Sequence, residues 1–339
     1  MRISAIGDVI KVWVWALGSL VIGLWLTPIA YNGGKALAEL SGSKDFNGVI
    51  NKIAAWSGAA ELEDFFKVCW PVTAIVLLLP MIESLRLGNS QRRSKPWSLR
   101  LPYLATSHAG GREIPPNRRG PLQAVTGFLM TFGGFVLIGY AMVKAGPFTW
   151  SADAHRWNDS LIFDIGWALL IATIVEMFFR CVVFGIFLRA MAVPAAIGLS
   201  SFMFAGIQFL IAGFANAEAF DDETLSAIHL TGVLFGGGES VTRFVVVFLP
   251  WFAFGCVLGW ARWRTASVWL PAGLLMGWLL ADRLFDKATN VAEVQHSIAG
   301  YFAAGSVQTG IIPLIGVLII GFLVHLLTQN HAREQEATD

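Results

Sequence analysis

Glu176 and Arg180 are the residues of this chain whose types and spacing most invite chemistry. They stand four apart in an otherwise apolar stretch, with the acid first, the better orientation for an ion pair on one face of a helix. Asp164 lies in the same stretch, nearer its start. An ionisable side chain at membrane depth costs about 2.5–3.5 kcal/mol on insertion scales, so each one needs a reason. Two reasons stand open. The pair is either a structural tie to neighbouring helices or a carboxylate used in catalysis or on an ion pathway. Glu83, Arg86 and His325 sit near the ends of apolar runs, where they can reach the interface, and are assigned no function. His108, His155, His229, His296 and His331 are scattered through connections without ligand spacing, so no metal and no cofactor is expected. Gly236-Gly237-Gly238 lacks the Lys-Ser/Thr of a phosphate-binding loop and reads as a flexible connection.

The elements that carry these charges must be membrane helices. Of 339 residues, 55% are apolar and 14% charged, against roughly 25% charged in soluble domains. Trp (14) and Phe (25) are abundant, as suits rings at the headgroup level. A net charge of +1 points to no nucleic-acid partner and no polyacidic one. Cys69, Cys181 and Cys256 fall in apolar runs and read as small buried hydrophobes, not as a disulfide framework. A spanning helix needs about 20 mostly apolar residues. Eight runs qualify, at roughly 12–31, 68–85, 121–144, 162–188, 193–214, 244–261, 266–281 and 309–328, the seventh being short. The first follows Arg2 and Lys11 as a signal peptide would. It is long enough to span and no small-residue cleavage site clearly follows it, so it reads as a retained helix. The expected fold class is all-α, a polytopic membrane bundle of about eight transmembrane helices.

Lys and Arg in the short connections set orientation. Arg86, Arg92, Arg93, Lys95, Arg100, Arg112, Arg118 and Arg119 follow the second run, opposed by Glu113 alone. Arg189, then Arg262 and Arg264, fall in later connections on the same side. Glu61, Glu63, Asp64, Asp221, Asp222 and Glu223 fall on the other, with Lys35, Lys44, Lys52 and Lys67 among them. Both termini are therefore expected in the cytoplasm, of a bacterial inner (plasma) membrane. Loop 86–120, rich in Pro and Gly, either faces anionic lipid or docks an acidic partner. Segments 221–235 and 284–303 carry apolar residues near helical spacing and are expected at the interface. Gly255/Gly259 and Gly273/Gly277 mark places where helices approach closely. The chain divides into 1–120, with two spans and the basic loop, and a six-helix membrane region, 121–339.

Three stretches then occur in order. They are Val175-Glu176-Met177-Phe178-Phe179-Arg180, the run from Ser200 to Gln208 containing Phe204, and Ser267-Val268-Trp269-Leu270-Pro271-Ala272-Gly273-Leu274-Leu275-Met276-Gly277-Trp278-Leu279. The last follows Phe254-Gly255-Cys256-Val257-Leu258-Gly259-Trp260, with Arg264-Thr265 beyond. Together they resemble the Glu-Glu-x-x-x-Arg, Phe-x-x-x-His and His-x-x-x-Asn motifs of the CPBP intramembrane protease family, which includes the CAAX prenyl proteases and Abi-type proteins. The resemblance covers about residues 165–282 and implies an eight-helix bundle. It also implies a site in which the leading Glu activates water, while two His and the Asn position that water and stabilise the oxyanion.

Here those four positions are Val175, Gln208, Leu275 and Leu279. A valine cannot accept a proton, and leucines cannot donate to a developing oxyanion. Losing one oxyanion donor typically costs about 10²–10³ in rate, and losing a general base roughly 10²–10⁴. Glu176 lies one residue along the helix, turned about 100° from the vacated position, with Arg180 placed to engage it. Gln208 can donate a hydrogen bond but cannot shuttle protons. The resemblance leaves Val175, Glu176, Arg180, Gln208, Leu275 and Leu279 as a vestigial site with no expected catalytic residue, Glu176 and Arg180 bracing the bundle. The expected function is that of a catalytically inactive CPBP-like protein, a structural or accessory subunit of a membrane complex. Its expected partners are membrane lipids and one or more membrane proteins, with no nucleic acid. The alternatives are an intramembrane CAAX-type endopeptidase with an altered site around Glu176 and Gln208, and lipid or isoprenoid binding in the vestigial cavity.

Overall fold

The computed structural model describes residues 3–42, 48–84, 119–146, 148–151, 160–215, 244–291 and 306–336. Segment 221–235, nearly all of loop 86–120 and the histidines at 108, 155, 229 and 296 lie outside them. A backbone in lipid must satisfy its own hydrogen bonds, so long apolar stretches become helices. Two compact units result, one of residues 2–91 with 210–239, the other of 92–209 with 240–339.

In the first unit, α1 (Ile3–Ser41), α2 (Gly48–Ala59) and α3 (Leu62–Ser84) pack together. Leu20, Leu24, Leu62 and Phe66 form the core, with Tyr31 and Trp70 against it. A Cβ on Gly23 would lie 2.7 Å from the Trp70 Cα, so α1 and α3 nearly touch there. Trp15 Nε1 donates to the Ala74 carbonyl at 3.1 Å, across the same seam.

The second unit holds α4 (Gly120–Ala145), β1 (Phe148–Trp150), α5 (Leu161–Glu176), a π-helical turn (Met177–Val183) and α6 (Phe184–Ala190). It continues with α7 (Val193–Ala215), a second π turn (Phe244–Phe248), α8 (Leu249–Thr265), α9 (Trp269–Ala288), β2 (Thr289–Val291) and α10 (Ile311–Glu336). The last residues of α7, from Leu210, belong to the first unit.

Among the described residues, seven helices are long and apolar enough to cross a membrane, against the eight runs expected. The seventh run becomes α9, which is not one of the seven, because Asp282, Arg283, Asp286 and Lys287 load its last turns. It is an inner helix, packed on α4, α5 and α8. Segment 284–303 is not an interfacial helix at its start. Leu284–Ala288 continue α9, and Thr289–Val291 pair antiparallel with Phe148–Trp150 as a two-stranded ribbon, the other elements among the described residues being helical. Arg262 lies inside α8, fully buried, and His331 inside α10, neither of them in a connection. Leu129, Leu137, Ile162, Phe163, Leu318 and Phe322 are exposed, as suits side chains that meet lipid tails no less apolar than themselves.

Both small-residue pairs mark close approaches. A Cβ on Gly255 would lie 2.9 Å from Ser201 Cβ, and one on Gly259 3.2 Å from Ile197 Cγ2, both on α7. Gly273 and Gly277 face α4, where a Cβ on Gly273 would run into the Ala124 carbonyl oxygen and one on Gly277 would lie 2.6 Å from that of Phe128. Gly127 answers from α4, with the Leu270 carbonyl oxygen 2.7 Å from its hypothetical Cβ. Beneath this seam Trp278 is enclosed by Phe135, Trp251 and Phe254, at centroid distances of 4.5, 5.2 and 4.0 Å.

Asp164 joins α5 to the charged end of α9. It is fully buried, accepts from Arg283 Nε at 2.6 Å, and takes further bonds from Lys287 Nζ and Ser160 Oγ. The Arg283 guanidinium also lies 4.5 Å from the Trp167 ring centroid.

Two outcomes follow from this packing. Gly273→Ala pushes a methyl into backbone that cannot yield, and is expected to exceed the ~1–3 kcal/mol that overpacking ordinarily costs. Gly133→Ala, with nothing within 4 Å of its Cβ, is the control and is expected neutral or slightly stabilising. Unfolding in mild detergent reads both, and equal stability of the two variants would contradict the close approach. Asp164→Asn is expected to cost about 1–3 kcal/mol, less than the ~3–5 for breaking a fully buried pair, because the Arg283 and Lys287 side chains stay 33% exposed. A denaturant midpoint unmoved by D164N would show that the clamp contributes nothing.

Candidate functional site

Helix α5 ends on Glu176, and the chain then widens into the π turn Met177–Val183 before narrowing again into α6. Such one-turn widenings inside α-helices accompany functional sites more often than chance. Here the turn keeps Arg180 on the side of Glu176. Arg180 Nε lies 3.5 Å from Glu176 Oε2, and both side chains are 0% exposed. That distance makes an ion pair but a poor hydrogen bond. Neither Glu176 oxygen and none of the three Arg180 nitrogens has a hydrogen-bond partner.

Two further elements meet the pair. From α7, the Phe204 ring lies 5.6 Å from the Arg180 guanidinium. From α8, Arg262 interacts electrostatically with Glu176, and its Nη2 points at Cys181 Sγ, 3.9 Å away. Cys256 of α8 adjoins Arg180 and Ser201. The result is a buried cluster of one carboxylate and two guanidinium groups, edged by thiols, a hydroxyl and aromatic rings.

The six residues of the expected vestigial site are spread over four elements. Val175 precedes Glu176 in α5 and is half-buried, and Gln208 is half-buried on α7. Leu275 is 1% exposed on α9, while Leu279, one turn on, is half-buried. Glu176 and Arg180 are brought together. Since their polar atoms have no hydrogen-bond partner, neither Gln208 nor the aliphatic positions join them through one. Among the described residues, no three His, Cys, Asp or Glu side chains gather as a metal site needs. The cluster can hold charge and tie α5, the π turn and α8 together. Among the described residues it presents no second titratable carboxylate or imidazole to pass a proton to.

Arg262 is the member that counting loop charges missed. Its sequence signal is the spacing Gly255, Leu258, Gly259, Arg262, all buried on one face of α8. The ion pairs of Asp164 were equally out of reach, since Arg283 and Lys287 lie 119 and 123 residues away in sequence.

Comparison with known proteins gives one family. Residues 157–281 match the family model described as type II CAAX prenyl endopeptidase Rce1-like. No curated protein and no solved structure matches the chain. The matched segment runs from just before α5 into α9 and contains every member of the charge cluster, together with Val175, Gln208, Leu275 and Leu279. This is an integral membrane protein of helical-bundle fold, and its residues 157–281 form a domain of the Rce1-like, type II CAAX prenyl endopeptidase family.

Proposed function

We propose that the Rce1-like domain of this chain has no peptidase chemistry and that the protein acts as a structural or accessory subunit of a membrane complex. The observation that carries this reading is the content of the positions where the family's water-activating machinery would sit. Leu275 is an aliphatic side chain packed in the interior, Leu279 and Val175 are aliphatic as well, and Gln208 is the one polar residue among the four. The nearby carboxylate, Glu176, faces Arg180. Hydrolysis needs a base within reach of water and donors aimed at the developing oxyanion. Three of these four side chains can supply neither. The framework that remains, with its glycine seams and its aromatic enclosure of Trp278, suits a rigid body against which another membrane protein can pack. We further propose that both termini face the cytoplasm of a bacterial inner membrane, the side on which loop 86–120 places its arginines.

The test has two arms. The full chain, purified in mild detergent and reconstituted, is incubated with a prenylated CAAX peptide, and no cleavage above the protein-free rate is expected. Affinity purification of the tagged chain from its native membrane is expected to bring down another membrane protein in stoichiometric amount. Cleavage by the wild type that disappears in a folded Glu176→Gln variant would replace this reading with an altered-site protease. Recovery of a lone monomer would remove the accessory role, and acyl or isoprenoid chains retained in that monomer would favour lipid binding.

A further inference from the structure

Helices α8 and α10 pack side by side and leave the membrane at the same end. The apolar span of α8 closes at Thr265 and that of α10 at Gln329, so the last turns of both stand at headgroup depth. Deeper in the bundle they nearly touch, since a Cβ on Gly321 would lie 2.9 Å from Val257 Cγ2. Above that contact the seam fills with polar and aromatic side chains. The Arg264 guanidinium lies 5.6 Å from the centroid of the Trp260 ring, and that ring lies 6.0 Å from His325. Arg264 Nη2 donates to the Thr328 carbonyl at 3.3 Å, which holds the cation against α10. His325 Nε2 and Gln329 Nε2 are 2.9 Å apart. The partners of Arg264, a carbonyl and a ring, are both neutral, and no carboxylate pairs with it among the described residues. Arg283 and Lys287, at the far end of α9, instead share Asp164. Trp260, Arg264, His325 and Gln329 are half-buried, each open on one side. Below Gln329, Leu326 and Phe322 follow at helical spacing on the same face of α10, 44% and 61% exposed. A cation at headgroup depth thus stands over an apolar strip that faces the lipid.

We infer that this seam, with Trp260 and Arg264 on α8 and His325 and Gln329 on α10, binds one anionic phospholipid, its phosphate on Arg264 and an acyl chain along Leu326 and Phe322. A planar guanidinium suits a phosphate, and basic pockets between helices at headgroup depth hold acidic headgroups. The Trp260 ring and the Thr328 carbonyl already fix the guanidinium, so little side-chain freedom is lost when the lipid binds. His325 and Gln329 add polar groups that headgroup hydroxyls can bond. A free phosphate would meet only the polar part of this surface, whereas a lipid also covers Leu326 and Phe322. Such a site would be present whether or not the domain keeps any peptidase chemistry.

The experiment is thermal unfolding of the full chain in a neutral detergent, with dioleoylphosphatidylglycerol, dioleoylphosphatidylcholine or inorganic phosphate added at constant ionic strength. The wild-type midpoint is expected to rise and saturate with phosphatidylglycerol, well beyond its response to phosphatidylcholine, and to be unmoved by phosphate. Arg264→Gln is expected to need about fivefold more phosphatidylglycerol for half-saturation, equivalent to about 1 kcal/mol for one cation at a headgroup. Lys144→Gln is the control. It removes an exposed cation that lies 5.7 Å from the Tyr140 ring near the end of α4, and it is expected to respond as the wild type does. A rise no greater with phosphatidylglycerol than with phosphatidylcholine would overturn the site. So would equal weakening by Arg264→Gln and Lys144→Gln, because the lipid would then be reading net charge alone. A response to phosphate as large as that to phosphatidylglycerol would overturn it too, since the ion would suffice without the lipid. If Arg264→Gln does not fold, phosphatidylglycerol with a photoactivatable acyl chain decides on the wild type. Labelling concentrated on Phe322 and Leu326 would support the site, and labelling spread evenly over the exposed apolar residues of all the helices would overturn it.

Discussion

A carboxylate and two guanidinium groups withdrawn from both water and lipid constrain this bundle more than any of its apolar contacts. Packing between apolar side chains brings little net gain in a membrane, because the lipid tails are as apolar as leucine. Buried charges behave differently: once desolvated, they hold their partners in place, since separating them exposes an uncompensated ion. Glu176 belongs to α5, Arg180 to the π turn and Arg262 to α8. The cluster therefore fixes where the broken helix meets the helix that follows α7 in the family-matched segment. The π turn is part of the same arrangement, because it carries Arg180, whose ion pair with Glu176 spans the junction with α5.

Around that centre, contact between helices is set by what is missing from side chains. Gly273 and Gly277 let α9 lie against the carbonyls of α4, and Gly255 and Gly259 let α8 lie against α7. Seams this close leave room for large rings elsewhere, and Trp278 fills that space with Phe135, Trp251 and Phe254. Asp164 secures the other end of α5 to α9 through Arg283 and Lys287. Within the family-matched segment, Gly273, Gly277 and Trp278 serve helix contact, and Leu275 and Leu279 stand beside them on the same helix.

Residues that act within one helix were legible from the chain. The Glu176–Arg180 spacing foretold a same-face pair, and the two glycine pairs foretold close approach, because both depend on helical periodicity alone. The long apolar runs gave the membrane helices for the same reason. What depends on distant partners was not legible. Arg262 read as a loop cation because the end of α8 is blurred by Trp260, Trp263 and Arg264, a sequence equally at home at an interface. Helix α9 read as a span because its first half is apolar, although its charged second half runs past Asp282 to join Asp164 and then the ribbon with Phe148–Trp150. Of the six positions that the sequence marks as a candidate site, the pairing of Glu176 with Arg180 could be anticipated. The depth of Leu275 against the partial exposure of Val175, Gln208 and Leu279 depends on the neighbours of each helix and could not.

The claim on which the rest turns is that Glu176 acts as the partner of Arg180 and so as architecture. A double-mutant cycle of Glu176→Gln and Arg180→Met, read by reversible denaturant unfolding of the full chain in detergent, measures that directly. The account predicts a favourable coupling of about 1–3 kcal/mol between the two side chains, at the upper end of what contacting residues show. A coupling near zero, with each substitution acting alone, would contradict it and return Glu176 to the position of a carboxylate held for chemistry.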